Sequence, residues 1–161
     1  MSARTGAPPA RRVWTLTGLV LAAVVAADQV VKALVTSSLE RGEARDLVLG
    51  IKVVNTRNSG VAFGQLQGAG IIVTVLIAGA VVALLVYVGR NADRPLIWLP
   101  AGLLLGGAAG NVIDRLREGA VVDFLKLPHW PAFNVADSAI TVGVLALLVV
   151  MERGDGARGS G

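Results

Sequence analysis

The sequence predicts an all-α membrane protein with four transmembrane helices and a small β-rich, extracytoplasmic loop after the first helix. Three observations carry this. The 161 residues are 54% hydrophobic with a mean hydropathy of +0.68, whereas soluble domains hold roughly 45–50% apolar residues. The apolar residues collect in four runs that approach or reach the ~20 residues a helix needs to cross a hydrocarbon core. Between the first two runs the composition turns polar, with a Val-, Leu- and Ile-rich stretch inside it.

Arg11 and Arg12 precede the first run, which extends from Val13 to Val35 and is interrupted at Asp28 and Gln29. Two arginines, an apolar stretch and Val25-Ala26-Ala27 imitate a cleaved signal peptide, but the apolar pattern continues past Ala27 and favours an uncleaved span. In the polar segment that follows, Asp46 to Asn55 (DLVLGIKVVN) alternates in part and reads as one or two short strands. Ala69 to Gly89 is the second run, Leu96 to Ile113 the third, and Asn134 to Met151 the fourth. Residues 1–12 read as a flexible cytoplasmic tail, 13–151 as the four-helix domain, and 152–161, rich in Gly and Arg, as a disordered cytoplasmic tail. Four spans put both termini on one side. Lys and Arg divide almost evenly between the sides, but Arg11 and Arg12 abut the first helix, which usually dominates orientation, so the termini are placed in the cytoplasm.

Composition also excludes. There is no cysteine, hence no disulfide scaffold, thiol nucleophile or thiolate metal site, and the single histidine, His129, leaves no basis for a histidine metal cluster. With 16% charged residues and no charge-rich body, the sequence pI of about 10.3 reflects arginines at membrane boundaries and not nucleic-acid binding.

The stretch Gly106 to Ile140 holds Asp114, Glu118, Asp123 and Asp137 between apolar segments, so these acids gather at one membrane face. Asp123 stands in VVDFL, where apolar flanks desolvate its carboxyl; Asp137 opens the last helix, where an acid also serves as a cap or dipole partner. Joined by a short loop with Pro128, Trp130, Pro131 and Phe133, the two form a candidate acid–base pair. Gly102, Gly106 and Gly110 recur every four residues and make a smooth face for close helix packing; the same row ends on Asp114, with Asn111 and Arg115 on the row beside it. Asp28 and Lys32 are four apart on the first span and read as an ion pair; a Ser-Lys dyad with Ser59 or Ser138 finds no local pattern to support it. Asn58 precedes a Ser-Gly turn, and either shapes that turn or positions a substrate amide.

GNVIDRLREGAVVDFL and PAFNVADSAI closely resemble signature segments of the bacterial lipoprotein signal peptidases (signal peptidase II), and DQVVKALV and RNSGVAFG resemble two further signatures of that family. The resemblance spans Val13 to Met151. It implies an intramembrane aspartyl endopeptidase of the bacterial inner membrane with its site near the extracytoplasmic face. Asp123 and Asp137 would be the catalytic pair, supported by Asp28, Lys32, Asn58, Gly60, Asn111, Asp114, Arg115, Asn134 and Ala136. The implied substrate is a diacylglyceryl-modified prolipoprotein cleaved just before its lipidated cysteine; the implied partners are membrane lipid and globomycin-type inhibitors, with no metal, cofactor or nucleic acid. The segment between Asp123 and Asp137 is short for the family and holds two prolines, and the Arg-Gly tail has no signature counterpart. Two other readings compete. An ion-coupled transport component would use the acids as a relay, although coupling sites lie near the midplane and these acids gather at one end. A non-catalytic four-helix assembly factor would use the glycine row for partners and tolerate loss of either Asp.

Overall fold

A computed structural model describes residues 10–59 and 69–158, with side chains for 10–59 and 75–153. The elements in chain order are α1 (Ala10–Ser38), β1 (Ala44–Asp46), β2 (Lys52–Asn58), α2 (Ala69–Arg90), α3 (Trp98–Glu118), β3 (Val121–Lys126) and α4 (Val135–Arg158). The protein is mostly helical, and two of its helices, Ala10–Ser38 and Val135–Arg153, are long and apolar enough to cross a membrane.

Helix α3 is the central element, with α1 and α4 packed closely against it. The glycine spacing explains how. A Cβ at Gly102 would stand 2.5 Å from that of Val20, and one at Gly106 would stand 2.8 Å from that of Val24, so this row is the seat of α1. At Gly107 a Cβ would meet the Ala136 carbonyl at 2.5 Å, so α4 sits equally close on the neighbouring face. Small residues allow backbones this near, and packing of this kind holds helices together where lipid removes the hydrophobic drive. Helix α2 packs on α3 and meets α1 and α4 in an apolar cluster around Val88, with Val13, Ile97 and Ala101 buried there. Outward faces carry Leu19, Leu34, Leu76, Val82, Leu145 and Leu148, all more than half exposed, while Asp28, Lys32 and Asp114 lie buried between helices. Apolar outside and charged inside is the arrangement a membrane imposes.

A three-stranded antiparallel sheet, in order β1-β2-β3, sits at the acid-bearing end. It differs from the expected strands in two ways. Leu47 to Gly50, read as strand, form a tight turn: Ile51 N–H donates to the Val48 carbonyl at 2.9 Å, with Leu49 at φ 53° and Gly50 at φ 77°. Two left-handed central residues are the hairpin turn that matches strand twist. The third strand, β3, is VVDFLK itself; its pairing places Thr56 opposite Asp123, beyond an irregularity between Val53 and Thr56. Phe124, Val35 and Leu39 form the cluster that fixes the sheet to the end of α1. Helix α3 stops at Gly119, whose φ of 72° lets its N–H cap the Arg115 carbonyl at 3.0 Å. Helix α4 continues through Glu152 and Arg153 to Arg158, where composition had suggested disorder. Residues 1–9 and 159–161 lie outside the described residues, as does Gly60.

Candidate active site

Asp123 comes from β3 and Asp137 from the first turn of α4; one side chain, Asn134, touches both. Asn134 is the N-cap of α4. Its Oδ1 accepts the Asp137 N–H at 2.8 Å, and Asp137 Oδ2 accepts the Asn134 N–H at 3.2 Å, a reciprocal capping box. With its oxygen committed to the helix, the Asn134 amide nitrogen faces the other way. There it donates to Asp123 Oδ1 at 2.9 Å, and lies 3.1 Å from Asn111 Oδ1 and 3.2 Å from the Val122 carbonyl. Two hydrogens serve three acceptors, so one bond is shared.

Asn111 is oriented by the same logic. Lys32, which can only donate, approaches its Oδ1 at 3.4 Å, which leaves the Asn111 amide nitrogen to donate to Asp137 Oδ1 at 2.8 Å. Lys32 lies 2.6 Å from Asp28 Oδ2 and 2.6 Å from Asp114 Oδ2, almost without solvent contact. The other bonds of this ion triad locate the acid pair. Asp114 Oδ2 accepts the Val122 N–H at 3.0 Å, one residue before Asp123, and Asp28 Oδ1 accepts the Ala136 N–H at 2.9 Å, one residue before Asp137. Breaking a buried ion pair by removing one partner costs about 3–5 kcal/mol, so the triad holds both strand and helix firmly in register.

The remaining anticipated residues fall as follows. Asn58, at the end of β2, donates to Asp123 Oδ2 at 3.0 Å. Ala136 is fully buried, and its small side chain fits beside Gly107 and Gly110. Arg115 reaches the Asn111 backbone carbonyl at 3.4 Å. Gln29 is a contributor the sequence showed only as a break in an apolar run: its amide nitrogen donates to Asp114 Oδ1 at 2.9 Å, and its oxygen accepts from Arg117 at 3.2 Å. A polar side chain inside a span was the signal that marked it. Lys32 fills the space between Asp28 and Asp114, and among the described residues no cluster of three or more His, Cys, Asp or Glu is poised for a metal ion.

Asp123 is only 2% exposed. Burial, joined by the negative charge of Asp137, pushes its carboxyl up from 3.8 to about 6, against the opposing hydrogen bonds from Asn58 and Asn134 and the charge of Lys32. It borders a cleft of about 480 Å³ over the sheet, lined by Asn55, Arg57, Asn58 and Lys126 among others. Asp137 is half-buried and fixed at both oxygens. A buried carboxyl with raised proton affinity, bordering a polar cleft and linked through Asn134 to a second carboxyl, is equipped for general acid–base chemistry.

The family model described as signal peptidase (SPase) II matches residues 20–152. A lipoprotein signal peptidase of Syntrophotalea carbinolica is 44% identical over 149 residues, covering 87% of this chain and 92% of that protein. One from Syntrophomonas wolfei is 40% identical over 129 residues, covering 80% and 87%. A bacterial membrane enzyme solved by the in meso method at 1.9 Å resolution superposes with a TM-score of 0.78 at 29% identity, covering 84% of this chain and 91% of the other. A match over this much of the chain, with relatives aligned nearly end to end, establishes that the chain belongs to the signal peptidase II family, the aspartic-type lipoprotein signal peptidases.

Proposed function

We propose that this chain removes signal peptides from prolipoproteins by acid–base hydrolysis at Asp123 and Asp137, that its substrate carries diacylglycerol on a cysteine, and that the bond cut is the one just before that cysteine. The observation that carries the reading is the link from Asp123 through Asn134 to Asp137, which ties two acids from different elements into one unit. Asp123 is the proton-bearing member: its carboxyl is raised to about 6, and it borders the cleft beside Asn58, which donates to its Oδ2. Protonated Asp123 hydrogen-bonds the scissile carbonyl; Asp137 takes a proton from the attacking water. Collapse of the tetrahedral intermediate then passes a proton to the leaving nitrogen, and the pair returns to its one-proton state.

In this reading all four helices span the bacterial inner membrane, both termini are cytoplasmic, and the sheet stands at the extracytoplasmic surface. Arg115, which holds the Asn111 carbonyl, and Gly60, in the loop after Asn58, complete the supporting set. A globomycin-type cyclic peptide is expected to compete for the cleft. The test is cleavage of a diacylglyceryl-modified prolipoprotein by the purified protein beside its Asp123→Asn and Asp137→Asn variants, with folding of each checked. Cleavage by wild type and by neither variant supports the pair. Full rate in either variant, or no cleavage by wild type, refutes it and returns attention to transport or assembly.

A further inference from the structure

An apolar groove of about 650 Å³ runs between α2 and α4, floored by α3. Its walls include Ile77, Leu84 and Tyr87 on α2, and Ile140, Leu147 and Met151 on α4; Leu104 and Ala108 form the floor. Both helices bordering the acid pair direct their chemistry toward it. At 3.6 residues per turn, Ile140, Leu147 and Met151 lie within about 80° of Asp137 around the α4 axis, and Leu104 and Ala108 within about 60° of Asn111 around α3. The shallower apolar groove beside α1, lined by Val135, Ser138, Ala139 and Val142, is turned about 100–160° away from Asp137. The α2–α4 groove therefore starts one helical turn from the acids. It ends at Tyr87, whose hydroxyl is buried without a hydrogen-bond partner among the described residues.

Resting on the prolipoprotein reading above, we propose that this groove seats one acyl chain of the substrate's diacylglyceryl group, with Tyr87 closing the deep end. The lining chooses the occupant. From Ile140 to Met151 the groove is about 16 Å long, and apart from the Tyr87 hydroxyl every side chain along it is apolar, which suits an extended hydrocarbon chain. The start of the groove at Ile140, one helical turn from Asp137, selects the substrate's chain over a bilayer lipid's, because a chain attached to the cysteine beside the scissile bond begins close to that point.

The test compares cleavage of one prolipoprotein carrying dipalmitoyl or dihexanoyl glycerol by wild type, Ala80→Phe and Ala108→Phe, with Val82→Phe on the outer face of α2 as control. Filling the groove should lower kcat/KM for the dipalmitoyl substrate about tenfold relative to the dihexanoyl one, and the control should show no such selectivity. Equal losses on both substrates overturn the proposal, as does a loss that follows the chain length of the surrounding phospholipid, which would assign the groove to bilayer lipid. A second measurement stands apart from turnover: a photoreactive group at the end of the palmitoyl chain, bound to the Asp123→Asn variant, should label Tyr87, Leu147 or Met151, and labelling on α1 instead refutes the assignment. If wild type cleaves neither substrate while the label still falls in the groove, the peptidase reading fails and the acyl site stands.

Discussion

Replacing Asp123 with Asn should make the protein more stable at neutral pH while removing its activity. The wild-type carboxyl titrates at about 6 in the folded protein against 3.8 for the unreacted group, a difference worth about 3 kcal/mol at 1.36 kcal/mol per unit. The folded state binds the proton more tightly than the unfolded chain, so stability is fully present below pH 3.8 and is lost as pH rises through about 6. Asparagine does not titrate. The difference in stability between variant and wild type should therefore grow in the variant's favour by about 2 kcal/mol between pH 4 and pH 7, once screening by solvent in the cleft that Asp123 borders is allowed for. For a chain of this size that corresponds to about 4–8 °C in the gap between unfolding midpoints. The constant part of the gap is lowered by whichever amide of Asn58 or Asn134 then faces an amide nitrogen instead of a carboxylate oxygen. Thermal unfolding of both proteins in one detergent across that pH range measures the trend. Parallel curves would show that Asp123 carries no burial penalty, and the assignment of the proton to it would fall.

Asn134→Ser keeps a good N-cap but lacks the amide donor to Asp123, Asn111 and the Val122 carbonyl, so stability should fall by about 1–3 kcal/mol while cleavage is largely lost; retained cleavage would break the proposed link. Lys32→Met leaves Asp28 and Asp114 facing one another in the interior and should cost about 3–5 kcal/mol, with much of it recovered in Lys32→Met, Asp28→Asn; unfolding midpoints of the two read this out. Leu49→Asn relieves a left-handed residue that is 92% exposed and should stabilise the hairpin by about 1 kcal/mol, seen as a higher midpoint with unchanged cleavage.

Some errors of sequence reading trace to single residues. Leu49 stands where Asn or Gly usually announces a type I′ turn, so the hairpin tip looked like uninterrupted strand. The strand β3 was hidden because four successive residues, Val121 to Phe124, are all buried, which erases the alternation that marks a strand with one face in water. Gln29 was visible only as an interruption, since its partner Asp114 comes from a different helix.

The sequence by itself determined where the helices lie, the glycine face of α3 and which carboxylates gather near one end, because these follow from local periodicity and from the cost of burying charge. Tertiary structure alone decided that Lys32 bridges Asp28 and Asp114, that Asn134 turns its oxygen to α4 and its nitrogen to Asp123, and that α2 and α4 leave an apolar groove that starts about one helical turn from Asp137. Those outcomes depend on which distant segments share a space and on amides with two unlike ends, and a one-dimensional pattern of residue types contains neither.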